Sequence, residues 1–232
     1  MSKNKIKFNS KNKKEEELEE WDWDRAIPTG RAVKRRIAHK EGVPHEGVHL
    51  WIVRTPVSGV ELLFQHRSKD KDMYPDCLDI TVGGHVPFGV LEKKVQKEAY
   101  EEIGITPSDS ELIDLGYFRY EEKSGSLFHR EFQQVFLLVD NKPLDQYSFT
   151  DGEVDGIFAA KLSDLAKLLK NDFNFQIEGY ENSKSIYKYV SRKDFHPLLF
   201  ADSMNEYMNI IIKAVEDISQ NRKPTVKMPS PV

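Results

Sequence analysis

The run Gly83-Gly84-His85-Val86-Pro87-Phe88-Gly89, followed by Lys97-Glu98-Ala99-Tyr100-Glu101-Glu102-Ile103-Gly104-Ile105, puts a glycine turn just ahead of a short helix carrying three carboxylates. Residues three and four apart share a helix face, so Glu98 meets Glu101 and Glu102, while Val95, Ala99 and Ile103 form another stripe. The apolar stripe can pack inward while the acidic one faces a cleft. Like charges at this spacing weaken an isolated helix by roughly a few tenths of a kcal/mol per pair. A bound divalent cation removes that penalty.

These residues resemble the Nudix box, whose second half reads Arg-Glu-aliphatic-any-Glu-Glu-any-Gly-aliphatic. Lys97 to Ile105 match it, with lysine for arginine and alanine for the aliphatic position. Farther forward, Gly89 or Val90 stands where the box has its first glutamate, depending on register, and Glu92 is a displaced substitute. Cleaving a diphosphate requires charge neutralisation on the phosphate oxygens and an in-line water, which is mostly positioning and electrostatics. Magnesium prefers oxygen ligands and keeps several waters, so carboxylates on one helix turn plus a backbone carbonyl make a half-cage for it. The resemblance implies Glu98, Glu101, Glu102 and Gly83 as ligands of Mg or Mn, with Glu98 and Glu101 catalytic. Lys97 takes the place of an arginine that orients the glutamates, and it lacks the planar bidentate fork.

The stretch His39 to Val53 looks like the entry strand of the Nudix branch that is similar to isopentenyl diphosphate isomerase, and Leu62–Ser68 and Tyr74–Ile80 continue the pattern. In the isomerases a cysteine sits just before the Gly-His pair. Here that place is Gly83, and the lone Cys77 lies upstream, so isomerase chemistry is not supported. Histidines of this kind help hold a metal in an isomerase, which singles out His49 and His85, although a structural or substrate-contacting role is the alternative. The resemblance further implies that Arg67, His85, Lys97 and Glu131 contact substrate and that Glu153, in the segment Glu153-Val154-Asp155, positions a water. Each has a plainer reading, since acidic residues at strand starts are usually just solvated.

A chain of 232 residues is long enough for one core of ordinary domain size with room for appendages. The absence of a long apolar run argues against a membrane span, and one cysteine permits no internal disulfide, which points to the cytoplasm. A net charge of −4 gives no footprint for general nucleic-acid binding and is compatible with a small phosphorylated ligand.

Apolar runs alternate with turns from His45 to about Lys170, and strands dominate there. Ser163 is placed to cap a helix through Leu165, Leu168 and Leu169. The expected fold is α/β, a Nudix-type α/β/α sandwich around a mixed sheet with an extra C-terminal helical segment. The expected division is a charged, mobile segment over 1–30, with Trp21 and Trp23 docking on the body or a partner. A Nudix domain over 31–170, a helical extension over 171–221 and a disordered tail over 222–232 follow. The stripe Met204, Tyr207, Met208, Ile211, Ile212 and Val215 packs on its own domain or else forms a homodimer surface. The function expected is Mg-dependent hydrolysis of a nucleoside diphosphate derivative or related organic diphosphate. The alternatives are a catalytically silent nucleotide-binding module and, behind it, a prenyl diphosphate isomerase.

Overall fold

The computed structural model describes residues 15–71 and 73–231; the N-terminal part of the expected mobile segment, residues 1–14, lies outside the described residues. The centre is strand β3 (His45–Arg54), whose alternate side chains serve two cores. Val48, Leu50 and Ile52 face one, and Trp51 and Val53 face the other. On one flank β3 pairs in parallel with β8 (Leu127–Val139), which pairs with β7 (Ile113–Ser124). On the other it pairs antiparallel with β6 (Val82–His85) and, at its end, with β4 (Glu61–Arg67). Strands β5 (Leu78–Ile80) and β9 (Val154–Lys161) join β4. One parallel pair among antiparallel ones makes this the expected mixed sheet.

Helix α2 (Lys94–Ile103) covers one face with the stripe read from sequence: Val95, Ala99 and Ile103 are all buried. Its first residue is pinned to the sheet, because Lys94 Nζ donates to both oxygens of buried Glu46, at 2.7 and 2.6 Å, and Tyr117 Oη donates to the same carboxylate. Gly104 ends the helix at φ 71, the left-handed conformation that glycine adopts without strain. Helices α3 (Leu162–Lys170) and α4 (Asn205–Ser219) cover the opposite face. Helix α3 starts at Leu162 with no side-chain cap, so the expected Ser163 cap does not form. The α4 stripe packs on its own chain, with Tyr207, Met208, Ile211 and Val215 buried and Ile212 partly so.

Three segments differ from the expected division. Residues assigned to a mobile N-terminus form the hairpin β1 (Glu17–Asp22) and β2 (Ile27–Lys34). Trp21 stacks on Phe132 with centroids 5.1 Å apart, and Trp23 lies between the guanidinium groups of Arg119 and Arg130, each 4.3 Å from its ring. The tryptophans therefore dock on the body. The extension expected to be helical begins with a second hairpin, β10 (Phe175–Glu181) and β11 (Lys184–Val190), which continues the sheet beyond β9. Its turn residues Asn182 and Ser183 take φ of 51 and 59, as a two-residue hairpin loop requires. The tail is held as well: Met228 is buried and donates its N–H to Leu115 C=O at 2.7 Å.

Asp217, at 1% exposure, ties that tail to α4 by accepting from Arg222, Thr225 and Lys213. The Arg222 hydrogen bond, foremost among these, pulls its carboxyl below the usual range against the effect of burial. A depressed native pKa stabilises the fold above the unfolded value of about 4 and loses that contribution as pH falls through the native one. Asp217→Asn should therefore lower Tm at neutral pH, and thermal melts of both proteins should converge as the medium is made strongly acidic.

Candidate functional site

Strand β6 places one group of side chains on each face of the sheet. On the α2 face, Glu102 is buried and accepts from Gly83 N–H at 3.2 Å and from Gln65 Nε2 at 3.1 Å. Burial raises its carboxyl well above the usual range, and neighbouring Glu98 adds to the shift while Lys71 opposes it. Glu98 lies against Gly84, where any Cβ would overlap its carboxylate. Burial raises Glu98 too, offset in part by Lys97. Val86 N–H donates to Glu46 C=O, which puts the Gly83–His49 pair in the non-hydrogen-bonded register and turns the Gly83 C=O off the β3 ladder. Glu98, Glu102 and that carbonyl are thus an oxygen-donor set of the kind magnesium or manganese takes.

Other sequence-derived candidates fall differently. Lys97 Nζ donates to Glu98 at 3.0 Å and Glu101 at 2.8 Å, so it engages the carboxylates rather than an open substrate site. Glu101 is turned outward and half exposed. Val90, at one register of the first box glutamate, packs against the core beneath α2, and Glu92 is exposed. Arg67 was expected at a phosphate. Its guanidinium instead donates to Tyr74 C=O, Met73 C=O and Asp79 Oδ2, holding the loop that follows β4. Glu153 pairs with Lys71 on that loop. Cys77 is buried, its Sγ donating to Tyr74 C=O, and burial pushes the thiol up to about 12. Such a thiol is inert as an acid or base near neutrality.

On the opposite face, four residues from four elements converge: His39 from α1 (Arg35–Glu41), His45 from β3, His85 from β6 and Glu131 from β8. One donor atom from each lies within 4.8 Å of the others. His39 is therefore on a helix, and the strand expected from His39 onward begins at His45. The His45 Nδ1 sits 2.9 Å from Val43 C=O, which only accepts, so the ring proton is on Nδ1 and the Nε2 lone pair is free. That lone pair lies 3.9 Å from Glu131 Oε1, too far for a hydrogen bond. His39 Nδ1 stands at the same distance from the same oxygen, and His85 Nε2 at 4.0 Å. His39 Nδ1 and His45 Nε2 are buried without hydrogen-bond partners.

His39 Nε2 and His85 Nε2 share a hydrogen bond at 3.1 Å, and the free His45 lone pair facing the buried carboxylate repels it unless a cation lies between. Ligand atoms on a tetrahedral ion with bonds of ~2.1 Å are about 3.4 Å apart, close to these separations. Burial lowers His39 to about 4 and His85 well below its ordinary value, keeping both rings neutral. Burial also opposes ionisation of Glu131, but the carboxyl is held low, foremost by a hydrogen bond from His129 at 3.1 Å. Neutral imidazoles and an ionised carboxylate are the protonation states that metal binding requires. His129 and Gln133 both donate to Glu131 and would orient it. The four residues could hold a metal, and the expected substrate contacts His85 and Glu131 belong to this group. His39 and His45 were in view in the sequence, but nothing there brings them to Glu131.

No family model matches the chain. Over 189 residues it is 26% identical to an uncharacterised Nudix hydrolase of Clostridium acetobutylicum, covering 79% of this chain and 89% of that protein. It is 33% identical over 125 residues to Nudix hydrolase 3 of Arabidopsis thaliana, spanning 53% of this chain but only 16% of that protein. A solved structure from Deinococcus radiodurans aligns with a TM-score of 0.49 and 20% identity, covering 66% of this chain and 90% of that one. The chain is thus similar to Nudix hydrolases, over most of its length in the first of these relatives. No helix among the described residues is long and apolar enough to cross a membrane.

Zinc or manganese should raise Tm, by about 2.7 kcal/mol of stability at a hundredfold excess over Kd. His45→Ala and Glu131→Gln should abolish the zinc shift, whereas Glu98→Gln should leave it in place, as calorimetric titration with zinc alone will measure.

Proposed function

We propose that this chain is a Nudix-type pyrophosphohydrolase that uses a divalent cation to cleave the diphosphate bond of a nucleoside diphosphate derivative or a related organic diphosphate. The observation that carries the reading is the seating of Glu98 and Glu102 against the glycine pair of β6, whose Gly83 carbonyl is left off the β3 ladder. When bound there, Mg or Mn neutralises phosphate oxygens and makes a water nucleophilic near neutral pH. The chain's own part is positional. Gly83 N–H and Gln65 fix Glu102, Gly84 leaves room for Glu98, and Lys97 links Glu98 to the outward Glu101. Glu153, just before β9, is assigned to water positioning; it pairs with Lys71, whose charge acts on Glu102.

The His39, His45, His85 and Glu131 group suits a cation that accepts imidazole, such as zinc or manganese, better than magnesium. Two different cations would then flank β6. A second reading, a silent module that binds nucleotide without cleaving it, is favoured by one observation: Val90, at a register of the first glutamate, is an apolar side chain packed, partly buried, against the core.

A panel of diphosphate compounds assayed with magnesium separates the two. The hydrolase reading expects turnover that chelator abolishes, and a fall in kcat of ~10² or more for Glu98→Gln and for Glu102→Gln. Cys77→Ser should cleave at the parent rate, because that thiol donates to Tyr74 C=O within its own loop. A silent module would bind nucleotide without needing magnesium and cleave nothing on the panel.

A further inference from the structure

The connection between β8 and β9 crosses the α2 face of the sheet, where Leu144 and Tyr147 are buried in the core under α2. Ser148 N–H then donates to Ile103 C=O, at the residue after Glu102, at 3.2 Å. Gly104 permits that approach, since a Cβ there would overlap Ser148 Oγ. Farther along, the charge of Asp151 acts on Glu102 itself. Phe149 stands between these two contacts, packed on the same core and half-exposed. Strand β10 brings a second ring to this face. Gln65, which holds Glu102, pairs with Ile157 of β9, and Ile157 pairs with Tyr180 of β10. Directly paired residues share a sheet face, so Tyr180 is on the side of Glu102, two strand spacings or about 10 Å from Gln65. Tyr180 also packs on the core under α2 and is half-exposed.

We infer that Phe149 and Tyr180 bind the nucleobase of the substrate, so that this face is built for a nucleoside diphosphate derivative rather than an aliphatic diphosphate. The inference rests on the diphosphate reading of Glu98 and Glu102. A base joined through ribose stands a sugar's length from the diphosphate, the scale of the step from Gln65 to Tyr180. Flat rings recognise any base by stacking, a contact that a branched alkyl chain does not make, and they leave the phosphates to the cation. Buried Leu144 and Tyr147 already anchor the loop, so the exposed part of the Phe149 ring is not needed for that. Hairpin β10–β11 likewise gains a task, because it extends the α2 face beyond β9 and carries the second ring.

The test compares the parent with Phe149→Leu and Tyr180→Leu, which keep apolar bulk and remove the flat face, with folding verified by thermal melts. Proton NMR of ADP with magnesium should show the adenine protons moved upfield by ring currents in the parent, and the shift should shrink in both variants. On nucleoside diphosphate derivatives kcat/KM should fall ~10-fold in each variant, mainly through KM. On isopentenyl diphosphate and pyrophosphate both variants should match the parent. Equal losses on compounds with and without a base would make the rings loop anchors, and parent kinetics in both variants would remove them from the site; either result overturns the inference. A parent that cleaves diphosphates lacking a base but no nucleoside derivative also overturns it, while the hydrolase reading stands. If the parent cleaves nothing on the panel, the hydrolase reading fails, and the ring-current shift with ADP alone decides whether these rings bind a base.

Discussion

The diphosphate cleavage proposed for this chain depends on the close approach of α2 to β6, two elements held together where the strand has no side chain to keep them apart. Gly84 lets the Glu98 carboxylate lie on the backbone, and Gly83 donates its N–H to Glu102. Glu102 is thereby carried into a buried position and Glu98 into a largely buried one, and burial raises both carboxyls. The stripe Val95, Ala99 and Ile103 and the Lys94–Glu46 pair hold the helix in that position. A cation is the natural complement to such an arrangement, since it replaces the water that burial removes.

The same strand bounds the histidine group, because successive residues of β6 point to opposite faces. Gly84 meets the acidic helix, and His85 meets His39, His45 and Glu131. The oxygen-rich and imidazole-rich sites therefore differ in the cations they suit while lying one residue apart along the backbone. His129, Gln133 and the Val43 carbonyl orient the imidazole-rich group, and Tyr207 reaches the adjoining His49 from α4. The C-terminal segment is in this way joined to the site as well as to the core.

Helix α2 was legible in the sequence because its two stripes have opposite chemistry. Most strands from His45 to Lys161 were legible from their apolar runs, but β6 was not, because Gly83-Gly84-His85 reads as a glycine turn. The N-terminal hairpin was not, since Leu18 and Trp21 sit among glutamates and a bulge between Glu19 and Trp21 breaks the alternation that marks a strand. Hairpin β10–β11 was hidden by exposed Tyr187 and Tyr189 and by an Asn-Ser turn, weaker as a signal than Asn-Gly. For the site, three glutamates at helical spacing did not reveal that Glu102 turns inward and Glu101 outward. Arg67 read as a phosphate contact because the loop that takes up its donors is visible only in the fold. The histidine group required knowing that β3 and β8 run in parallel with His45 opposite Glu131.

The most direct measurement of the central claim is turnover by Gly84→Ala on the best compound of the diphosphate panel, with zinc binding measured alongside. The added methyl displaces the end of a flexible glutamate rather than backbone, so the fold should survive. Glu98 should be pushed off the strand, turnover should fall by ~10² or more, and the histidine group on the opposite face should bind zinc as before. Parent-level turnover from folded Gly84→Ala would contradict the account, because cleavage would then not depend on Glu98 lying against β6.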